Sequence, residues 1–244
     1  MPNSDLPFFL DGALQIAQGA GYRAGMDAAL LAAAMQVPLS KHALELGCGV
    51  GTALLCAAWR NPNAVFTGVE KQTELAELAA DNAARNQMNG RVDIHPISIS
   101  NLAAHFKPDH FDQVFFNPPF QDHKTQGNTP KPGKDTAFIA DDADLAFWVR
   151  QAIIFVKARG YITVIHRADR LAQLVALLHG SCADIRVQPI APRVGNPAHR
   201  VLVRARKGVR SPSKLLPPLI LHQADQQYTR QADAIFRGKQ ALVF

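Results

Sequence analysis

The stretch Glu45-Leu46-Gly47-Cys48-Gly49-Val50-Gly51-Thr52 decides the fold of this 244-residue chain. It follows a short apolar run, residues 42–46, and leads into a helix-forming run, 52–59, that Asn61-Pro62 stops. Strand, glycine turn and helix make the first half of a βα unit. Three alternating glycines let the chain turn tightly there and let a ligand approach its backbone. A dinucleotide fingerprint would read GxGxxG, but the spacing here is GxGxG and Thr52 stands at the last glycine position, which disfavours a pyrophosphate. The next strand, 64–69, ends at Glu70, 19 residues beyond Gly51, where a ribose-binding acid is expected. Glu45 and Glu70 thus flank the glycines. Two carboxylates suit a ligand with a cationic amino-acid head and a sulfonium, and repel a diphosphate.

Outward from this unit, strand and helix keep alternating. Residues 73–87 read as a helix with Leu75, Leu78 and Ala79 on one face, 92–97 and 112–116 as strands, 145–156 as an apolar helix, and 161–166 as a buried strand. Residues 185–190 and 200–206 read as a closing pair, joined by a turn with Pro192, Gly195 and Pro197 and paired antiparallel at one edge. The pattern predicts an α/β fold: a Rossmann-like, doubly wound, mostly parallel seven-stranded sheet with an antiparallel edge strand. The expected division is a lead-in over 1–40 that closes over the cofactor site, a core over 41–214, and a tail over 215–244, helical in pattern across 228–238, that packs on the core.

Composition narrows the function classes. With 48% hydrophobic and 19% charged residues the chain reads as a soluble globular protein, which excludes collagen-like, coiled-coil and wholly disordered classes. No apolar run approaches the roughly 18 residues of a membrane span. The first residues carry Asp5 and Asp11 rather than a basic cluster, so a cytoplasmic location is expected. Cys48, Cys56 and Cys182 lack CxxC spacing, so neither a metal site nor a disulfide is expected. Between Lys157 and Lys214 twelve Lys or Arg face two acids, so this stretch carries +10 and the remainder −4. That excess fits a polyanionic partner or a solvated rim equally well.

Asn117-Pro118-Pro119-Phe120 follows the strand 112–116, at the sheet edge where α/β proteins bind ligands. The prolines fix φ, which holds the Asn117 side chain and the Pro118 carbonyl toward the cleft as paired acceptors. An exocyclic amine between them donates two hydrogen bonds and aims its lone pair along the line of attack on a sulfonium methyl. Phe120 offers a stacking face to a planar target.

These two motifs resemble motif I and the Asn-Pro-Pro-aromatic motif of class I S-adenosylmethionine-dependent methyltransferases that act on planar amines: adenine N6, guanine N2 or the glutamine amide. The resemblance implies S-adenosylmethionine as cofactor and S-adenosylhomocysteine as product. Gly47, Cys48, Gly49 and Gly51 would line the methionine portion, Glu45 would meet its ammonium and Glu70 would take the ribose hydroxyls. Lys71, Ser98, Ile99 and Asn117 would complete the site, with Ser98 standing where many relatives place an Asp against the adenine amine.

The segment Gly21-Tyr22-Arg23-Ala24-Gly25-Met26-Asp27, together with residues 166–171 and 200–204, is similar to the bacterial tRNA1(Val) adenine-N6-methyltransferase family, whose best-studied activity modifies adenine 37 beside the anticodon. By that resemblance Tyr22, Arg23 and Asp27 would close over the cofactor and the partner would be RNA, with no metal and no membrane; a monomer is expected. Period two puts Arg200, Arg204 and Arg206 on one face of a strand, where phosphate contacts with Arg167 would follow. The long loop 121–142, with Lys124, Lys131 and Lys134, is expected to cover the target base. The rival readings are N2 of guanine in ribosomal RNA, a protein glutamine, a nicotinamide-dependent oxidoreductase, and an RNA-binding module without catalysis.

Overall fold

The computed structural model describes residues 7–19, 25–119 and 145–244. A small hairpin pairs β1 (Phe8–Phe9) with β2 (Leu14–Gln15), and helix α1 (Met26–Ala33) follows. The decisive stretch then forms β3 (His42–Leu46), the glycine turn and α2 (Thr52–Arg60). Next come β4 (Val65–Val69), α3 (Thr73–Arg85), β5 (Val92–His95), the short α4 (Leu102–His105) and β6 (Phe111–Phe116). The second half comprises α5 (Leu145–Phe155), β7 (Val156–Arg167), α6 (Leu171–His179), β8 (Cys182–Ala191), β9 (Arg200–Lys207), β10 (Lys214–Leu215), β11 (Leu219–Ile220) and α7 (Arg230–Phe236).

Among the described residues one sheet runs β10-β8-β9-β7-β6-β3-β4-β5, with β11 also paired to β8. Its seven long strands are the expected ones. The two-residue strands β10 and β11 bring the total to nine. Strand β9 is antiparallel to both β7 and β8, as expected of the closing pair. It lies one strand in from the boundary, however, because β8 forms the outer side and is itself covered by β10 and β11. Strands β8 and β7 therefore run in the same direction.

Alternation along the strands feeds two apolar layers. Ala43, Phe115 and Leu202 face α1, α2, α3 and α7, while Leu44, Leu46, Phe116 and Val203 face α4, α5 and α6. The rings of Phe66, Phe111, Phe115, Phe116 and Phe155 are fully buried, each contributing roughly 1.5–3 kcal/mol. Helix α2 stops where expected because Asn61 turns its side chain onto the Ala57 and Met35 carbonyls at 2.8 and 3.0 Å. The chain's two ends close over the first layer: Leu242 donates its backbone N–H to the Ala33 carbonyl at 2.8 Å, and Arg237 reaches Asp11 at 2.6 Å. No helix among the described residues is long and apolar enough to cross a membrane.

Candidate active site

Every parallel strand delivers its last residue to one edge of the sheet, and the site is built there. Gly47, Gly49 and Gly51 all have φ in the left-handed region, at +65°, +53° and +84°. A side chain is strained in that conformation, so the alternating glycines are what make the turn possible. The turn is pinned from β4, whose Val69 carbonyl accepts the Cys48 N–H at 2.9 Å. Gly47 also lies under the indole of Trp148 on α5: a Cβ placed there would stand 2.5 Å from Trp148 Cη2.

Glu45 is the penultimate residue of β3 and is 3% exposed. Its Oε2 is buried without a hydrogen-bond partner. Burial pushes the Glu45 carboxyl well above the ordinary carboxylate range, with the Leu54 backbone amide opposing and the nearby Glu70 charge adding to the rise. Glu70, 7% exposed, leaves β4 and accepts the Gly49 N–H on Oε2 and the Gln72 N–H on Oε1, both at 3.0 Å. Each of its oxygens keeps lone-pair capacity for a hydroxyl donor. Asn117 stands directly after β6, and its Oδ1 is likewise buried and unpartnered. A buried polar atom left unpaired costs free energy, and two of them at one sheet edge define a place prepared for donors that a ligand brings.

These features fit S-adenosylmethionine: an orphaned carboxylate oxygen for its ammonium, an anchored carboxylate for its ribose, and glycines that admit it to the backbone. The raised Glu45 carboxyl has a measurable consequence. Between the unfolded value of about 4.3 and the raised one, the folded chain holds a proton that the unfolded chain has released. Stability of the cofactor-free protein therefore falls as pH rises through that window. Glu45→Gln is expected to flatten this dependence, raising Tm at neutral pH, while weakening S-adenosylhomocysteine binding roughly tenfold, about 1.4 kcal/mol. Thermal melts from pH 5 to 8 and a ligand titration check both; unchanged binding would remove Glu45 from the site.

The other expected cofactor residues divide. Cys48 is buried in the turn, and Thr52 opens α2 beside it. Ser98 accepts the Ser100 N–H at 3.2 Å as cap of a short turn, with Ile99 buried behind it and Lys71 exposed at the start of the α3 segment. The Asp27 carboxylate is held by Arg200 Nε at 2.9 Å, which directs it toward β9. Tyr22, Arg23, Phe120, Lys124, Lys131, Lys134 and the loop 121–142 lie outside the described residues.

The arginine row needs correction. Period two holds, since Arg200, Arg204 and Arg206 share the face of Leu202. Strand β9 descends, however: Arg200 pairs with Arg167 at the ligand-binding edge, and Arg206 pairs with Tyr161 near the other end, about 20 Å away. Arg204 is 9% exposed, with its guanidinium 4.1 Å above the Tyr161 ring, and burial lowers its pKa. It is a packed residue rather than a phosphate contact. Arg206 donates to the Arg159 carbonyl at 2.9 Å, and Arg167 to Asp169 at 3.1 Å.

Sequence reading missed Asn82 on α3. This fully buried amide accepts the Ala17 N–H at 2.8 Å and donates to the Ala17 and Val50 carbonyls, both at 3.0 Å. One turn later Asn86 does the same for Gln15. Together they fasten the lead-in to the glycine turn; the only signal was two Asn spaced i, i+4 on a helix.

Comparison with known proteins points to the same fold and enzyme class. The family described as "methyltransferase small domain" matches residues 22–131. A "tRNA1(Val) (adenine(37)-N6)-methyltransferase" of Shewanella baltica is 25% identical over 220 residues, 89% of this chain and 91% of that one. One of the same description from Porphyromonas gingivalis is 30% identical over 162 residues, 64% of this chain and 63% of the other. Among solved structures, a "predicted O-methyltransferase" of Agrobacterium tumefaciens superposes with a TM-score of 0.73 at 25% identity, covering 89% of this chain and 98% of that one. An S-adenosylmethionine-dependent O-methyltransferase of Thermotoga maritima, 16% identical with a TM-score of 0.55, covers 78% of this chain and 68% of that chain and shares the fold. With the fold of the class I enzymes and these relatives, the chain is an S-adenosylmethionine-dependent methyltransferase, similar to the bacterial tRNA1(Val) adenine-N6-methyltransferases.

Proposed function

We propose that this enzyme methylates the exocyclic N6 amine of an adenine in RNA, with tRNA beside the anticodon as the first substrate to test. The observation that carries the reading is the buried, unpartnered Oδ1 of Asn117 at the end of β6. Such an acceptor, held in a site dry enough to make it strong, selects a group that presents N–H. Asn117 and the Pro118 carbonyl hold both amine hydrogens, so the nitrogen lone pair points out of the base plane at the methyl group. Bound S-adenosylmethionine supplies that methyl in electrophilic form. The amine nitrogen held by Asn117 would take the methyl from sulfur, and the proton it sheds would leave to solvent. The protein's part is to orient the amine and to keep water from the methyl.

The names of the Shewanella and Porphyromonas relatives support adenine N6 over guanine N2 and glutamine. The test is methyl transfer from labelled S-adenosylmethionine to unmodified tRNA, ribosomal RNA and cell protein, followed by nucleoside analysis. N6-methyladenosine in tRNA is the expected product. Label only in N2-methylguanosine, in a ribose or other hydroxyl, or in protein would replace the acceptor and leave the fold and cofactor standing.

A further inference from the structure

The glycine turn, Glu45 and Glu70 occupy the β3-β4 side of the sheet edge, so the cofactor fills that half. A macromolecule whose amine reaches Asn117 must then lie across the other half, over the ends of β7, β9 and β8. What stands there is the turn 192–199. It is stiffened by Pro192 and Pro197, with Gly195 at φ +78°. It is stitched on three sides: the His199 N–H to the Ile190 carbonyl at 3.0 Å, the Ala168 N–H to the His199 carbonyl at 3.1 Å, and the His222 N–H to the Pro192 carbonyl at 2.9 Å. On this fixed base Val194 is 81% exposed at the tip, an apolar side chain offered to solvent by a segment with little freedom to hide it.

Cations mark the same rim. Arg193 stands in the turn and contacts the Gln226 side chain, exposed Arg170 precedes α6 on one side, and exposed Arg230 opens α7 on the other. The three come from separate elements: Arg170 follows the end of β7, Arg193 follows the end of β8, and Arg230 follows Thr229, whose N–H bonds the Leu221 carbonyl at 2.8 Å just beyond β11. Arg206 lies toward the opposite edge, and Arg204, between the two, is buried against the Tyr161 ring.

We infer that the turn 192–199, flanked by Arg170 and Arg230, is the surface on which a folded RNA rests its phosphate backbone while the target base enters beside Asn117. The inference rests on the reading that the acceptor is RNA. A preformed prong between two cations binds a shaped polyanion at small ordering cost, and phosphate contacts set register without reading sequence. An acidic protein is the rival occupant, which the test separates.

The experiment uses the full chain and unmodified tRNA transcripts. Arg170→Glu/Arg193→Glu and Arg230→Glu are expected to raise KM for RNA at least tenfold, leave kcat within about twofold, leave S-adenosylhomocysteine affinity unchanged, and flatten the salt dependence of RNA binding by about one unit of log–log slope per contact removed. The milder Arg193→Gln, which adds no repulsion, should raise KM about threefold and guards against a folding defect in the double variant. Lys107→Glu, in the exposed connection before β6 at the far edge, should match wild type. If wild type methylates RNA while the rim variants keep its KM and salt slope, the rim inference falls alone. If wild type binds no RNA and labels protein, the RNA reading falls and takes this inference with it.

Discussion

Asn117→Ala is expected to lower kcat at least 100-fold while S-adenosylhomocysteine affinity stays within about fivefold. A loss of two powers of ten corresponds to about 2.7 kcal/mol of transition-state stabilisation. The expectation follows from where the side chain is held: β6 pairs in register with β3 and β7, its last residues are fully buried, and Asn117 leaves the sheet with Oδ1 enclosed and waiting for a donor. Truncation removes the acceptor without disturbing the strand, so the amine can enter but is no longer aligned. Asn117→Asp keeps an acceptor oxygen in place and should retain more activity than alanine does. Single-turnover rates at saturating cofactor separate alignment from binding. An alanine variant with wild-type turnover would remove Asn117 from the chemistry and, with it, the argument for an amine acceptor.

Gly47→Ala should nearly abolish cofactor binding and lower stability. The residue sits at φ +65°, which costs a side chain about 1–2 kcal/mol. The added methyl would also lie 2.5 Å from Trp148 Cη2, in an indole that is 6% exposed and packed 5.8 Å from the Phe116 ring. Overpacking of this kind adds about 1–3 kcal/mol. The two contributions can be told apart. Trp148→Leu in the Gly47→Ala background should recover the steric part and leave the backbone part, so the double variant is less destabilised than the sum of the single ones. Thermal melts and a cofactor titration check it; additive losses would mean that the indole yields and the backbone alone sets the cost.

The glycine turn, Glu45, Glu70 and Asn117 could all be read from consecutive residues, because turn chemistry and strand ends leave their mark locally. Helix and strand limits fell close to the reading at Asn61-Pro62, but β7 begins at Val156 and runs through Gly160, five residues ahead of the expected start at 161. Other features were hidden because their meaning depends on partners far along the chain. Nothing local distinguishes Asn82 from a solvated helix residue; its role appears only when Ala17 arrives, 65 positions earlier. Trp148 reads as core until its ring is found over Gly47. The arginines of β9 show the complementary failure. Period two gave their common face correctly but could not say that Tyr161 and Phe244 cover Arg204, at 4.1 and 6.0 Å from its guanidinium to the two rings, or that the strand is flanked on both sides.

The closure of Leu242 onto Ala33 bears on how the molecule is made. The outer cover of α1 comes from far along the chain: Leu242, which bonds the Ala33 carbonyl, stands 209 positions after it. A contact spanning most of the chain closes late, since its loop entropy is recovered only when both partners are free. The folding chain can therefore complete its central strands, glycine turn included, while the helix that precedes Glu45 still lacks its lid of α7. Until Leu242 and α7 arrive, the apolar face of α1 has no cover, so the element that precedes the glycine turn is among the last to be fixed in place.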